Sequence, residues 1–541
     1  MPASATPGAK DDFIERHLPP RCAWPQFRFD LPDLIEEGPL NAAAALLDSG
    51  IREAGEHSPA VFSAGVRWSY GDLRSRTDAI AHVLRRDLGL KAGERVLLRG
   101  GNSPMMIAAW LAVLKAGGVA VTTMPLLRTK ELTQIIEKGR VNYALCAEPL
   151  IDELAACRDA DTPLKRLLSW NGTDGELEAL MERHRERFDA AQTSATDPAI
   201  LAFTSGTTGP PKACVHFHRD IMAMAETFAR HILAPKTGDV FCGTPPIAFT
   251  FGLGGSVVFP FRFGAATAVF EKATPSELVK AIGDFGVTTL FTSPTAYRAM
   301  LPLLSHHDIS TLHTCVSAGE TLPKATFDSW EQATGLKLID GIGSTEMIHI
   351  FISARPEDTR AGYTGKPIPG YEACLLDDQG NILPPGSEGR LAVRGPTGCR
   401  YLDDPRQREY VQGGWNITGD IYRQDEDGYF AYVSRADDMI VSSGYNIAGP
   451  EVEDAVLSHE AVLECAVVGT PDPERGSVVK AFVVLKDGHT GDDAMRKTLQ
   501  DWVKSQIAPY KYPRQVEFVS ALPKTGTGKV QRFALRQRTG G

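Results

Sequence analysis

The sequence lacks any pattern of paired cysteines. Its nine cysteines are scattered along 541 residues, and none forms a Cys-x-x-Cys pair. An odd, unpatterned set in a long chain indicates reduced thiols rather than a disulfide framework or a zinc site. We therefore expect an intracellular, cytoplasmic protein without structural disulfides.

Long apolar runs are missing as well. The most apolar run covers residues 105–114, ten residues that end at Lys115, about half of the roughly 20 that a membrane helix needs. The opening residues, MPASATPGAKDDFIERHLPP, have no apolar core and carry acids early, unlike a signal peptide. These absences predict a soluble protein that does not enter a membrane.

Basic charge is in the minority. Lys plus Arg number 57 against 67 Asp plus Glu, a formal net charge of −10. This balance disfavours a dedicated nucleic-acid binder, which needs a basic surface. A hydrophobic fraction of 43% excludes intrinsic disorder. The length predicts several domains at roughly 100–200 residues each, and we expect a monomer or homodimer.

Helical stretches alternate with short apolar runs, such as 95–98 and 119–122, from about residue 40 to 350. This alternation is typical of helix-covered parallel sheets. Gly and Pro then crowd together between about 360 and 435, which predicts a small β-rich subdomain. A separate unit of roughly 100 residues follows, and we place the main boundary at 434–437. The fold class predicted is α/β with several subdomains.

The segment from Thr204 to Lys212, TSGTTGPPK, follows the apolar run 199–203. Its hydroxyls, glycines and lysine suit a loop that wraps phosphate oxygens with backbone N–H groups, hydroxyl donors and one positive charge. A Walker A loop is excluded, because Pro211 and Ala213 break its pattern.

Asp340 to Glu346, DGIGSTE, also follows an apolar run. Glu346 stands where a dinucleotide fingerprint needs its third glycine, which excludes that fingerprint. The segment suits instead a nucleotide loop whose carboxylate binds Mg²⁺ together with phosphate oxygens.

Three further residues are candidates for the same chemistry. Asp420, in WNITGD, can accept both hydroxyls of a ribose, and Arg435 can hold ribose or phosphate oxygens. Lys529 lies in a glycine-rich segment, PKTGTGKVQR, near the C-terminus. Taken alone, each of these residues would more often be a surface charge.

These motifs in this order resemble the adenylate-forming superfamily of acyl-CoA synthetases, adenylation domains and firefly luciferases. The resemblance runs from about residue 40 to 535 and includes SAGE (317–320), GYTGKPIPG (362–370) and SRADDMIVSSGYNIAGPEVE (434–453). It implies a large N-terminal domain, residues 1–434, with two helix-covered sheets and a small distorted β-barrel. It also implies a small, mobile α+β C-terminal domain, residues 438–541, joined by a hinge at 435–437 that contains Asp437.

The resemblance also implies a role for each motif residue. ATP would be held by Thr204, Ser205, Gly206, Thr207, Thr208, Gly209, Lys212, Ala318, Gly319, Glu320, Asp340, Gly341, Ile342, Gly343, Ser344, Asp420 and Arg435. Lys529, Thr345 and Glu346 would act in catalysis, with Glu346 as the Mg²⁺ ligand. Coenzyme A would contact Ser443, Gly444, Tyr445, Arg475, Tyr512, Pro513 and Arg514. The reaction implied is ATP-dependent joining of a carboxylate to coenzyme A through an acyl-adenylate.

The substrate pocket of such ligases is implied at Phe249, Thr250, Phe251 and His349. Two rings and an imidazole predict a flat slot for an aromatic acid, benzoate or 2-aminobenzoate. Phe249 and Phe251 could instead be ordinary core aromatics. Three alternatives stay open: a medium-chain fatty acyl-CoA synthetase, an enzyme that passes the acyl group to a carrier protein or to oxygen, and a binding protein with an inactive nucleotide pocket.

Overall fold

The structure is a computed structural model, and it describes residues 10–172, 175–204, 211–436, 438–442, 445–472, 476–507, 509–524 and 529–539. Several predicted site residues lie outside these ranges: Ser205, Gly206, Thr207, Thr208, Gly209, Asp437, Ser443, Gly444 and Arg475.

The strands are numbered along the chain. β1 to β13 are Pro59–Ser63, Val66–Ser69, Arg95–Arg99, Val119–Thr123, Tyr143–Ala147, Arg166–Trp170, Pro198–Thr204, Lys212–Phe217, Val240–Gly243, Ala266–Ala268, Thr289–Thr292, Thr314–Ala318 and Leu338–Gly343. β14 to β25 are Ile350–Ser353, Lys366–Pro367, Glu372–Leu376, Glu388–Arg394, Val411–Gln412, Trp415–Gln424, Phe430–Arg435, Ile440–Ser442, Tyr445–Ile447, Val462–Asp472, Gly476–Leu485 and Gln515–Phe518.

The α-helices are numbered in the same way. α1 to α9 are Phe13–His17, Ala42–Ala54, Tyr70–His82, Pro104–Lys115, Thr129–Gly139, Ile151–Asp159, Glu176–Met181, His218–Met224 and Thr250–Leu253. α10 to α17 are Phe259–Arg262, Pro275–Phe285, Pro294–Met300, Lys324–Thr334, Gln407–Tyr410, Gly449–Leu457, Asp493–Gln506 and Arg532–Thr539. π-helical turns extend α3, α8 and α9.

Two large sheets form the bulk of the molecule. One has the strand order β6-β5-β3-β4-β7-β8 and is parallel except for the β7–β8 pair. The other has the order β15-β14-β13-β12-β11-β9-β10-β1-β2, with antiparallel pairs only at its two ends. The predicted alternation of helices with parallel strands is confirmed.

Helix α4 shows how these layers are held together. Ser103 caps its N-terminus by accepting a hydrogen bond from the Met106 amide, and Pro104 occupies the first turn. Every residue of α4 is buried, as expected of a helix that is apolar on all sides. It contacts β3 and β4 of one sheet and β1 of the other, so the apolar run 105–114 is a core helix.

The remaining strands are antiparallel or short. β16, β17, β18, β19 and β20 form a five-stranded sheet, which confirms the β-rich segment predicted between about 360 and 435. After it come the β21–β22 hairpin and the sheet β23-β24-β25, against which α15 and α17 pack. No helix in the described residues is long and apolar enough to cross a membrane.

Candidate active site

Three strand ends place the predicted nucleotide motifs. β7 ends at Thr204, where the predicted phosphate loop begins, and β12 ends at Ala318, next to Gly319. β13 pairs in parallel with β12, with Ala318 opposite Gly341. Because the carboxyl ends of parallel strands share one edge of a sheet, the SAGE and DGIGSTE segments lie side by side there. Asp340 to Gly343 therefore belong to a strand, and the loop begins at Ser344.

Glu346 lies at the centre of a buried polar cluster. The Tyr401 hydroxyl donates to its Oε1 at 2.5 Å, and Lys212 Nζ lies 3.7 Å from the same oxygen. Lys212 also sits over the Tyr401 ring, 5.0 Å from its centroid. Two of the sequence-predicted residues, Lys212 and Glu346, are thus brought together at the base of the predicted phosphate loop.

The backbone of Thr345 is held from below by a buried histidine. His216 Nε2 lies 2.7 Å from the Thr345 carbonyl oxygen, and its Nδ1 lies 3.4 Å from Asp220 Oδ2. Burial opposes a charge on this ring, yet the neighbouring Cys214 and Asp220 hold the pKa of His216 well above its usual value. Asp220 in turn contacts the buried Arg400 guanidinium.

Lys529, in the C-terminal part of the chain, lies close to Gly319. Gly319 has a φ of 88°, and a Cβ built on it would lie 3.5 Å from Lys529 Cε. Lys529 keeps solvent contact, but desolvation by the surrounding protein lowers its pKa, against the attraction of Glu320 and Asp420. A cation is therefore placed over Gly319, the residue that follows β12.

Asp420 and Arg435 meet across two neighbouring strands. They are register partners in β19 and β20, and Arg435 Nη1 donates to Asp420 Oδ1 at 2.9 Å. Asp420 and Arg435, fifteen residues apart in the sequence, thus form a cross-strand ion pair. Asp420 is largely buried, whereas Arg435 is exposed, so the pair presents its guanidinium toward solvent.

Two further carboxyl groups of the nucleotide segments are perturbed by burial. Desolvation raises the pKa of Asp340 to about 7, against hydrogen bonds with Thr364 and the Gly341 backbone. Burial also raises the pKa of Glu320, whose Oε2 accepts a hydrogen bond of 2.7 Å from Thr295. Both groups therefore hold a proton more readily than an exposed carboxylate.

An aromatic cluster surrounds His349. Its ring lies 5.8 Å from the Phe251 ring, 4.7 Å from Phe259 and 5.3 Å from Phe228. Within the described chain, neither nitrogen of this buried imidazole has a hydrogen-bond partner of normal geometry. Burial outweighs a contact with the Phe251 backbone and lowers the pKa of His349 to about 3. The ring is therefore neutral near pH 7.

The other predicted pocket residues line the start of α9. Phe249, Thr250 and Phe251 are each only partly buried, and the Phe251 ring lies 5.5 Å from that of Phe291. They are thus not fully enclosed core aromatics. The His349 backbone lies against the nucleotide segment, because a Cβ on Gly343 would lie 2.6 Å from the His349 carbonyl oxygen.

The described residues predicted to contact coenzyme A, Tyr445, Tyr512, Pro513 and Arg514, lie on the C-terminal unit. Arg514 Nη1 donates to the Tyr512 hydroxyl at 3.0 Å, and the Pro513 carbonyl accepts a hydrogen bond of 3.0 Å from Gln500. Arg514 also lines a surface cavity of about 480 Å³ together with Lys480 and Arg496. Tyr445 opens strand β22.

Sequence reasoning missed several residues of the site. Tyr401 lies in GCRYLDD, which carries no motif. His216 was detectable in principle, because it shares strand parity with Lys212. Phe259 and Phe291 lie in α10 and β11, outside the predicted pocket segment, and the packing of these elements brings their rings to His349 and Phe251.

Family comparisons agree with this geometry. The model for "AMP-binding enzyme" matches residues 51–400, and that for "AMP-binding enzyme C-terminal domain" matches residues 451–529. The chain belongs to the AMP-binding enzyme family. The resemblance drawn from the ordered motifs is confirmed, and so is the α/β fold class.

Three relatives show where in this family the chain lies. It is 37% identical to a benzoate–CoA ligase of Thauera aromatica, over 87% of this chain and 90% of the relative. It is 34% identical to the mitochondrial acyl-coenzyme A synthetase ACSM3 of Rattus norvegicus, over 87% of this chain and 84% of the relative. The crystal structure of the anthranilate CoA ligase AuaEII with anthranoyl-AMP matches with a TM-score of 0.89 and 34% identity, covering 94% and 98% of the two chains.

Proposed function

We propose that this AMP-binding enzyme is an AMP-forming ligase that joins an aromatic carboxylic acid, benzoate or 2-aminobenzoate, to coenzyme A. The observation that carries the substrate class is the aromatic cluster around His349. Rings of Phe251, Phe259 and Phe291 lie next to one another there. The similarity to a benzoate–CoA ligase and to an anthranilate CoA ligase supports the same class.

The first half-reaction needs positive charge more than any other catalytic aid. A carboxylate must attack the α-phosphate of ATP and displace pyrophosphate, so two anions meet in the transition state. Lys529, whose Cε would lie 3.5 Å from a Cβ on Gly319, would bridge the carboxylate and α-phosphate oxygens. Lys212 would hold the β- and γ-phosphates, and the loop residues from Thr204 to Gly209 would add hydrogen bonds. Asp420 and Arg435 would hold the ribose.

Magnesium fits the donor set of this site. Mg²⁺ takes one or two carboxylates together with phosphate oxygens, and Glu346 offers a carboxylate beside the strand that leads from the predicted phosphate loop. Bound there, the ion would neutralise phosphate charge. Thr345 would bond the α-phosphate. The hydroxyl of the preceding residue, Ser344, lies 3.2 Å from the Tyr410 hydroxyl.

The second half-reaction would use another arrangement of the two domains. In this proposal residues 1–434 form the adenylating domain, residues 438–541 the lid, and 435–437 the hinge around Asp437. Rotation removes Lys529 and brings Ser443, Gly444 and Tyr445 to the acyl-adenylate. The thiol of coenzyme A then attacks the acyl carbon and AMP leaves, while Arg475, Tyr512, Pro513 and Arg514 hold the coenzyme.

The neutral His349 ring favours an acid with a polar substituent. It carries one N–H donor and one lone pair, and a buried group without partners costs free energy that a ligand can recover. An ortho amino group on benzoate would supply that partner. Each aromatic pair would add roughly 0.5–1.5 kcal/mol beyond surface burial, a term that a flexible alkyl chain does not gain.

A panel of acids tests the proposal. We expect kcat/KM for benzoate and 2-aminobenzoate to exceed that for hexanoate and octanoate by about tenfold, which corresponds to ~1.4 kcal/mol. Phe251→Ala should erase most of this preference while leaving the KM for ATP unchanged. A tenfold preference for octanoate over every aromatic acid would instead assign the chain to medium-chain fatty acids.

The acceptor is tested in the same assays. AMP release that depends on coenzyme A, with a thioester detected by mass spectrometry, is the expected result. AMP release that responds to an amine or a carrier protein but not to coenzyme A would favour an adenylating enzyme with another acceptor. Absence of ATP–pyrophosphate exchange with every acid would leave only a nucleotide-binding protein.

A further inference from the structure

The peptide segment of Thr345 and Glu346 is held at two points by buried residues outside the nucleotide motifs. The Tyr401 hydroxyl donates to Glu346 Oε1 at 2.5 Å. His216 Nε2 lies 2.7 Å from the Thr345 carbonyl oxygen. One contact fixes the end of the carboxylate side chain, and the other fixes the backbone that carries it.

Both contacts originate from a single piece of strand pairing. β8 runs from Lys212 to Phe217, and its Cys214 is bridged to Tyr401. The Val215 amide donates to the Arg400 carbonyl at 2.9 Å, and the Leu402 amide donates to the Ala213 carbonyl at 2.8 Å. Side chains alternate along a strand, so Lys212, Cys214 and His216 share one face. Tyr401 is the cross-strand neighbour of Cys214 and therefore lies on the same face.

The paired segments 213–216 and 400–402 are buried and hydrogen-bonded to each other. His216 and Arg400 are fully buried, and Tyr401 is 1% exposed. Asp220 lies 3.4 Å from the outer nitrogen of His216 and contacts Arg400. The imidazole is therefore enclosed, with its hydrogen bond from Nε2 to the Thr345 carbonyl and an ionic contact of Nδ1 with Asp220.

The Tyr401 hydroxyl also controls a competing interaction. Lys212 Nζ is 3.7 Å from the same Glu346 oxygen that accepts the tyrosine hydrogen bond. Without that hydroxyl, the carboxylate can turn toward Lys212 and shorten this ion pair to a direct hydrogen bond. Such a pair would occupy both the proposed magnesium ligand and the proposed phosphate-binding cation.

We propose that Tyr401 is a positioning residue that keeps the Glu346 carboxylate available to Mg²⁺ and limits its ion pair with Lys212 to 3.7 Å, and that His216 orients the same segment through the Thr345 carbonyl. The inference rests on the proposed function, which assigns Glu346 to magnesium. Removing an outer-shell hydrogen bond to a metal ligand typically lowers metal affinity about 10–100-fold.

Tyr401→Phe tests this assignment, because it removes one oxygen and keeps the ring. Calorimetric titration of ATP at increasing Mg²⁺ should show the half-saturating Mg²⁺ concentration raised at least tenfold, with a smaller change in ATP affinity in EDTA. The KM for ATP should rise in parallel, while thioester formation from supplied acyl-AMP stays within about threefold of wild type. A half-saturating Mg²⁺ concentration within twofold of wild type overturns the assignment.

Tyr70→Phe is the matched control. It removes a buried tyrosine hydroxyl that donates to the Ala265 carbonyl at 2.6 Å, so it should lower Tm without moving the Mg²⁺ dependence. If Tyr401→Phe is too unstable to titrate, the comparison of His216→Gln with His216→Leu tests whether this segment is positioned by buried hydrogen bonds. Gln retains an N–H donor for the carbonyl and should retain Mg²⁺ affinity better than Leu, and equal behaviour of the two contradicts the role of His216.

Glu346→Gln separates this inference from the proposed function. If it leaves the Mg²⁺ dependence of ATP binding unchanged, the assignment of Glu346 is wrong and that of Tyr401 falls with it. If it weakens Mg²⁺ binding while Tyr401→Phe does not, only the positioning role fails. Coenzyme A ligation of aromatic acids by the wild type is measured independently of both variants.

Discussion

Replacing Lys529 with alanine removes the cation that lies over Gly319. The expected result is loss of acyl-adenylate formation with retention of thioester formation from supplied acyl-adenylate, because the lysine is needed only while the carboxylate and the α-phosphate meet. The other cations assigned to ATP, Lys212 and Arg435, would bind other parts of the nucleotide and do not take its place.

The magnitude follows from the position of the charge. A unit charge about 4 Å from another contributes ~4 kcal/mol at an effective dielectric constant of about 20. Removing one preorganised group at a developing charge costs a similar ~2.7–4 kcal/mol. We therefore expect the rate of ATP–pyrophosphate exchange with benzoate to fall about 10²–10³-fold.

The assay compares the two half-reactions in the same preparation. Pyrophosphate exchange reports adenylation, and release of AMP from synthetic benzoyl-AMP with coenzyme A reports thioester formation. Lys524→Ala is the matched control, since it removes the same charge from the same segment at a residue that pairs with Glu464 at 2.9 Å. Equal losses in both half-reactions, or an equal effect of Lys524→Ala, would refute the assignment of Lys529 to adenylation.

Two further predictions concern stability and the acid pocket. The Asp340 carboxyl has a pKa of about 7 when folded against a usual 3.8, so the folded state binds its proton more tightly and stability is lost as pH rises from about 4 to 7. Asp340→Asn, compared with wild type in thermal unfolding without ligands, should match it near pH 4 and exceed it at pH 8 (each pKa unit is ~1.4 kcal/mol); a gain of the same size at both pH values would contradict this. A Cβ on Gly254 would lie 2.5 Å from His349 Nε2, so Gly254→Ala should raise the KM for benzoate about tenfold and leave that for ATP unchanged. Gly283→Ala, where the nearest atom would lie 3.3 Å away, is the control, and equal KM values in both variants would show that Gly254 is not at the pocket wall.

Local sequence was sufficient for inner strands of the parallel sheet. The runs at 95–98 and 119–122 are the strands Arg95–Arg99 and Val119–Thr123, because an apolar run between turn signals fits a buried parallel strand. The Asp340 segment was only partly predictable. Its glycines suggest a loop, but pairing with β12 and β14 keeps residues up to Gly343 in a strand.

The proposed acid pocket shows why packing needs more than a motif. Phe249, Thr250, Phe251 and His349 were candidates from their place in the sequence. Phe259 and Phe291 were not, although their rings lie 4.7 Å from His349 and 5.5 Å from Phe251. The identity of an apolar residue does not show whether it lines a pocket or lies in the core, because apolar side chains are favourable in both places.

What the sequence by itself determined is the chemistry: the order of the nucleotide motifs, the residue types that they supply, the family and the α/β class. The tertiary structure decided how those residues are held. Tyr401 is 55 positions from Glu346, and His216 is 129 positions from Thr345. Such contacts depend on the register between distant strands, and a hydrogen bond is made or lost within a fraction of an ångström. The spacing of the motifs does not encode that register, because the register is set by the packing of the whole domain.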